Sequence, residues 1–396
     1  MPAFEPLSEL LPQALPEAHV WSGRPSAADV APLPAAPALL LFVGEAGEPV
    51  QLLTTQNLRR FVLARLSAPE EAVRGRADLA DVVRGARWRV VTCPFEARWW
   101  YYRLASALHP RDYREMIGFG PAWFLHVNWQ AAIPELQVTD QVWVQPGEFV
   151  GPWPTHKSCQ QALEGLWDLF DLCRYPEQVR RSPLGTRCSY AEMGRCDAPC
   201  DGSAPLEPYV ARLRAAWDFA CGGSAAWSET AETRMHAAAQ TRAFERAALI
   251  KKQIAFARHW QAEWTSHARH MSEMTFLIAL PVTRRRAWKL FVFRSGAIVD
   301  GPILPDRSAK TGLAAWLATA AGVPDPDVVP RVRMEQTWLL SHLLFGREAE
   351  DGVILRTTGF AGDDLVERCI SEMRARRGKV GAEQAEHGPE VRAGEQ

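Results

Sequence analysis

Apolar positions along the chain change period several times, and the changes mark out its elements. Residues 38–42 form a continuous apolar run, 45–48 carry turn residues, and 49–53 are apolar again, the pattern of two strands joined by a turn. Over 56–66 the apolar positions fall at 58, 61, 62 and 66, the spacing of one helix face. Residues 89–92 predict a further strand, and 95–108 a helix with a dense aromatic face that stops before Pro110. Residues 123–127 and 142–145 read as strands and 160–170 as an amphipathic helix. The stretch 173–202 has almost no periodicity and reads as loop, followed by a helix over 206–219 and a Gly/Ser/Ala linker over 222–226. A long helical stretch covers 228–264, broken near Thr241 and Arg242. Beyond it, 275–282 and 287–293 read as a strand pair around 283–286, and 313–321, 334–344 and 363–376 as helices.

The pattern divides the chain into a flexible lead-in (1–37), a small mixed domain (38–115), a connector (116–172), a cysteine-rich loop module (173–222), a helical hairpin (228–264), a small C-terminal α+β domain (271–377) and a polar, disordered tail (378–396). The fold class expected is α/β. A length of 396 residues suits several modules, and 47 % hydrophobic with 23 % charged residues is ordinary for a folded protein. A net charge of −1 argues against a broad electrostatic grip on nucleic acid, which needs a surplus of Lys and Arg. No apolar run approaches the roughly 20 residues of a membrane helix. The first twelve residues carry Glu5 and Glu9 and no basic segment, unlike a secretory signal, so a cytoplasmic setting without membrane contact is expected.

Eight cysteines are present, and four of them, Cys173, Cys188, Cys196 and Cys200, fall within the aperiodic stretch. Thiolates gathered in a segment too poor in apolar residues to fold alone suit a structural metal, which would supply the missing stabilisation. Zinc and an iron–sulfur cluster are both compatible. Zinc sites usually show paired Cys-x2-4-Cys knuckles, and only Cys196 and Cys200 make such a pair, so the spacing favours a cluster. Cys93, Cys159, Cys221 and Cys369 are scattered and read as ordinary buried thiols.

The segment from Cys188 through Tyr190, Arg195, Cys196, Ala198, Pro199 and Cys200 to Gly202 resembles the cysteine-rich segment of the excision-repair nuclease subunit UvrC. That resemblance implies a four-iron, four-sulfur (4Fe-4S) cluster on Cys173, Cys188, Cys196 and Cys200, with zinc as the alternative. Further on, Phe244, Glu245, Ala247, Ala248, Gln253 and Ile254 are similar to the core of the UVR motif. In that family this helical hairpin pairs with an equivalent hairpin on the helicase subunit UvrB. The implied partner-binding residues are Phe244, Glu245, Ala248, Gln253 and Ile254, the partner a UvrB-like subunit, with DNA as a further one. Lys251 and Lys252 stand where the motif usually has Arg-Asp.

Residues 38–114 resemble the GIY-YIG nuclease domain that opens UvrC. Asn57, Leu58, Arg59 and Arg60 fit its helix start; Glu96, Ala97, His109, Pro110, Arg111 and Tyr113 fit the later helix and its exit. Residues 149–154 resemble the Tyr-Phe-Gly-Pro-Phe-Pro stretch that follows. Such a domain cuts with a tyrosine pair, an arginine and a metal-holding glutamate. Here Leu40 and Gln51 stand for the tyrosines, Leu53 for the closing glycine, Phe61 for the arginine and Tyr101 for the glutamate. None of these side chains can hold magnesium or offset phosphorane charge, so no catalytic residue is assigned. Residues 289–296 resemble the linker that follows the hairpin in UvrC, and the chain is too short for a complete second nuclease. Asp306, Asp363 and Asp364 read as turn and helix-cap residues. No DNA-contacting residue is assigned. The reading is a non-catalytic UvrC-like accessory protein. The alternatives are a divergent repair endonuclease and a cluster-bearing redox or DNA-damage sensor.

Overall fold

The Pro- and Ala-rich start is structured, against expectation. In the computed structural model, which describes residues 6–66, 79–194, 196–260, 267–283, 285–322, 328–360 and 362–386, it forms α1 (Leu7–Ala14) and β1 (Glu17–Val20). Leu10, Ala14 and Leu15 are buried, and the Arg89 guanidinium donates to the carbonyls of Gln13 and Ala14. A few apolar positions on one face suffice to dock a short helix; Pro6 precedes its first turn and Pro12 stands within it.

Next come β2 (Ala38–Val43), β3 (Pro49–Thr55), α2 (Leu58–Leu66), β4 (Gly85–Val90), α3 (Pro94–Leu108) and the short α4 (Tyr113–Met116). The sheet order is β1-β4-β2-β3, antiparallel throughout. Every residue of β2 is buried, because each face of the strand meets a different core. Leu39 and Leu41 point to a core shared with α1 and α3; Ala38, Leu40 and Phe42 point to one built with α2. The aromatic run of α3 is core: Trp99, Trp100 and Tyr102 are all at most 5 % exposed.

The middle segment contains β5 (Trp123–Val127), β6 (Gln137–Thr139), β7 (Glu148–Trp153), α5 (His156–Phe170), α6 (Pro176–Val179), α7 (Ser189–Glu192), α8 (Glu207–Asp218), α9 (Ser224–Gln240), α10 (Phe244–His259) and β8 (Arg269–His270). Its sheet runs β6-β5-β7-β8. Two expectations fail here. Residues 142–145 are a turn, with Val142 buried and Trp143 at φ 69°, and the strand lies instead at β7. The supposed linker at 222–226 is helical apart from Gly222, whose φ of 128° bends the chain into α9. Thr155 begins α5 as a reciprocal capping box with Ser158.

The last segment comprises β9 (Phe276–Pro281), β10 (Ala287–Arg294), β11 (Ala297–Pro305), α11 (Ala309–Gly322), α12 (Pro330–Leu344), α13 (Glu348–Asp351), β12 (Val353–Arg356) and α14 (Asp363–Glu386). The expected strand pair is present, and β11 and β12 complete a sheet of order β11-β10-β9-β12. The expected tail over 378–396 is helical as far as Glu386. The remaining residues 387–396, together with 261–264, Arg195 and Arg284, lie outside the described residues. Among the described residues no helix is long and apolar enough to cross a membrane.

Front and rear segments share one core. Phe291 on β10 meets Phe95 edge-on at 5.0 Å and Trp99 at 6.3 Å, and Trp338, Leu339, Leu340 and Leu343 of α12 join them. Glu335 of α12 is fully buried between the two segments. It accepts hydrogen bonds from Tyr102 (2.9 Å), Tyr113 (2.6 Å) and Arg114 (2.6 and 2.8 Å). Glu348 accepts from the Phe95 backbone N–H at 2.8 Å, at the N-terminus of α3, and pairs with Arg98. Lys289, 5 % exposed, donates to Asp300 at 2.6 Å and lies 3.8 Å from Glu96. A domain of the front type is thus packed against the rear one through both apolar and ionic contacts.

Candidate cysteine centre and docking hairpin

The cysteine loop starts where α5 ends. Asp171 closes that helix in the left-handed region (φ 50°), and Leu172, buried, turns Cys173 back toward the loop. Tyr175 donates its N–H to the Cys173 sulfur at 3.4 Å. Cys188 caps the single turn of α7, and Cys200 sits in a 3-10 turn entered through Ala198 at φ 54° and left through Gly202 at φ 79°. Gly185 donates its N–H to the Cys200 carbonyl at 2.8 Å, and any side chain there would collide with the Gln178 and Cys200 carbonyls. Ser182 donates to the Pro199 carbonyl at 2.7 Å. These local bonds shape the loop, while its apolar anchoring amounts to little more than Val179, Ala191, Ala198, Pro199 and Cys200.

Cys173, Cys188 and Cys196 line one cavity of about 730 Å³. Cys200 is buried, its sulfur 3.7 Å from the Thr186 carbonyl. Burial, with the charge of the other three cysteines adding to it, pushes the Cys173 thiol up to about 11. Burial first, then the Asp201 charge, with Cys196 and Cys188 adding to it, moves Cys200 up. Among the described residues no three His, Cys, Asp or Glu side chains are drawn tightly enough together to grip a metal as they stand. The donor set is nevertheless right for a thiophilic metal: four thiols of one loop, three of them on one cavity. Closing them round a centre would require loss of thiol protons and a tightening of the loop. The other four cysteines behave differently. Burial alone or foremost raises all of them, Cys93, Cys221 and Cys369 to about 12, and each sits apart from the cavity.

The opposite wall of the same cavity is α10: Leu249, Lys252, Gln253 and Phe256 line it, four positions spaced as one helix face. The hairpin breaks where the sequence indicated. Arg242 takes the left-handed conformation (φ 58°), Ala243 donates to the Ala238 carbonyl and Arg242 to that of Ala239, a Schellman turn without glycine. Ala231 of α9 packs on Ile250 and Ile254 of α10, and Arg258 pairs with Glu232 at 2.7 Å. At the base, Phe256 lies against Gly165 of α5 so closely that a Cβ would overlap its ring, and Trp260 is buried among Trp153, Phe219 and Phe256.

The five residues expected to bind a partner therefore separate. Phe244 (66 % exposed), Glu245 and Ala248 are open at the tip; Gln253 is turned to the cysteine cavity; Ile254 is buried in the seam between the helices. Phe244 opens α10, and Ile250 and Ile254, six and ten positions on, fall on another face of the same helix. Leu249, Lys252 and Phe256 were not singled out as facing the cysteines. Their i, i+3, i+7 spacing was visible, but nothing in the sequence said which element they would face.

The four positions expected to stand for a nuclease's cutting groups, Leu40, Gln51, Phe61 and Tyr101, are not all brought together either. Leu40 is fully buried opposite Leu53, and Gln51 lies opposite Phe42 on the same face. Phe61 stacks on Phe42 with ring centroids 6.5 Å apart, so three of the positions border one apolar core. Tyr101 is on the other side of the sheet. It packs on the core shared with the rear segment and lines a separate cavity of about 440 Å³ with Thr54, Thr92 and Arg98, its hydroxyl raised by burial.

The middle segment with its cysteine loop defines the class: residues 122–219 match the family described as UvrC/Cho excinuclease, middle domain. Proteins similar to the chain include UvrABC system protein C of Syntrophotalea carbinolica, 28 % identical over 33 % of this chain and 21 % of the relative. That of Geobacter metallireducens is 26 % identical over 56 % and 36 %, and that of Saccharophagus degradans 29 % identical over 52 % and 34 %. Over these segments the chain is similar to UvrC-type proteins. It spans little more than a third, at most, of the length of these relatives. No solved structure matches it.

Proposed function

We propose that this chain is a non-catalytic, UvrC-like accessory protein of nucleotide excision repair that binds a UvrB-like partner, DNA, or both, and holds a four-cysteine iron–sulfur site. The observation that carries this reading is the shared cavity: three of the four loop thiols and one face of the UVR-like helix meet in one place. A centre bound to Cys173, Cys188, Cys196 and Cys200 would cross-link a loop that has few apolar contacts of its own. Zinc would do the same mechanical work, and the metal content decides between them. The exposed tip bearing Phe244, Glu245 and Ala248 is the docking surface for the helicase-type partner.

The front segment serves as a GIY-YIG-like scaffold. Leu40, Gln51 and Phe61 put hydrocarbon and an amide where the family's cutting groups would stand, and Tyr101 faces away from them. The same segment is locked onto the rear one through Glu335. The test has two arms. A magnesium- or manganese-dependent nicking assay on damaged duplex yields no incision by the purified chain; incision at a rate comparable to an intact excision nuclease overturns the non-catalytic assignment. Pull-down with UvrB retains the chain and loses it on Phe244→Ala; equal retention of the variant removes the hairpin from the docking surface.

A further inference from the structure

We infer that Lys252 is the cation that compensates the charge of the cysteine centre, so that α10 forms a wall of that site as well as a docking element; this rests on the four-cysteine reading above. Four thiolates around a divalent metal leave a net negative charge, and a cluster held by four thiolates is likewise anionic. In a partly buried site such a charge is costly unless cations face it. Among the described residues, two cationic side chains line the cavity, Arg174 and Lys252. Arg174 is already engaged: its guanidinium pairs with Asp168 and lies 4.7 Å from the centroid of the Tyr190 ring. Asp171, on the same wall as Cys173, adds further negative charge. Lys252 has no ion-pair partner among the described residues, and it enters the cavity from the opposite wall, on the face it shares with Leu249, Gln253 and Phe256.

The placement is specific to the helix face. Lys251, its neighbour in sequence, is exposed and does not line the cavity. The Phe256 contact with Gly165 fixes α10 one turn further on, so the lysine is held near the loop by packing and not by a flexible tether.

The test uses the full chain, reduced and metal-free, titrated anaerobically with cobalt(II) as the probe, because its thiolate charge-transfer absorption reports sulfur ligation directly. Lys252→Glu weakens cobalt binding by about tenfold or more, the scale of reversing one charge beside an anionic site. Lys252→Met weakens it by a smaller factor, and Lys251→Glu leaves it within about twofold of the unaltered chain. Position 252 is exposed, so neither variant threatens the core. If Lys252→Glu binds cobalt like the unaltered chain while Cys188→Ser does not, the lysine has no such role and the four-cysteine site stands. If the unaltered chain itself develops no thiolate–cobalt band, the site and this inference fall together.

Discussion

Replacing Glu335 with glutamine isolates the contact that joins the front scaffold to the rear segment. The carboxylate is fully buried and accepts from both tyrosines and from Arg114, with Arg331 at 3.4 Å one helical turn away. Glutamine keeps the shape but turns one acceptor oxygen into a donor. Whichever way the amide is oriented, an N–H faces the tyrosine hydroxyls or the guanidinium. Breaking a buried, hydrogen-bonded charge pair costs about 3–5 kcal/mol. The cationic side is discounted because the Arg114 and Arg331 side chains are 43 % and 38 % exposed and can rehydrate. Tyr102, only 1 % exposed, cannot, and an unsatisfied buried hydroxyl costs about 1–3 kcal/mol. The expected loss is about 3 kcal/mol, read as a fall in the urea midpoint at unchanged slope. A double-mutant cycle with Tyr102→Phe should show coupling of about 1 kcal/mol. A variant within about 0.5 kcal/mol of the unaltered chain would refute the assignment of Glu335 as the joint, since that is the scatter of an inert surface change.

Other expectations follow from the same geometry. Burial, then the Glu335 charge, holds the Tyr102 and Tyr113 hydroxyls above the ordinary tyrosine value. Their contribution is complete below about pH 10 and is lost as pH rises through their folded values, so alkaline denaturation should be shallower in Tyr102→Phe. Gly165→Ala forces the Phe256 ring off α5 and should cost about 1–3 kcal/mol in thermal or urea unfolding. Ile254→Ala opens the hairpin seam and should cost about 2–4 kcal/mol, whereas Phe244→Ala, at an exposed tip, should leave stability within about 0.5 kcal/mol and reduce only partner capture. Equal stability losses in these two would contradict the division of the hairpin into seam and tip.

Periodicity located the strands and helices whose burial is one-sided or complete, such as β2, α3 and the break at Arg242, because their pattern reflects contacts within a few residues. It missed α1 and β1, whose few apolar positions matter only because β4 and α3 lie beside them. It took residues 142–145 for a strand because Val142 and Trp143 are apolar, when they are anchors of a turn: the Trp143 indole donates to Thr337, far along the chain. The four loop cysteines were legible from composition and spacing alone. The meeting of Cys173, Cys188 and Cys196 with Lys252 and Gln253 on one cavity was not, since it depends on how α10 lies across the loop, a relation set by Gly165, Phe256 and Trp260 together. The same applies to Glu335, one acid among many in the sequence and the most enclosed carboxylate among the described residues.

The most direct test is the metal and sulfide content of the chain purified without oxygen, set beside that of Cys196→Ser. The account predicts about four iron atoms with matching acid-labile sulfide per chain, a broad visible absorption that bleaches in air, and loss of all three in the variant. A chain that folds normally while carrying neither iron nor zinc, or one whose iron is indifferent to Cys196→Ser, would contradict it.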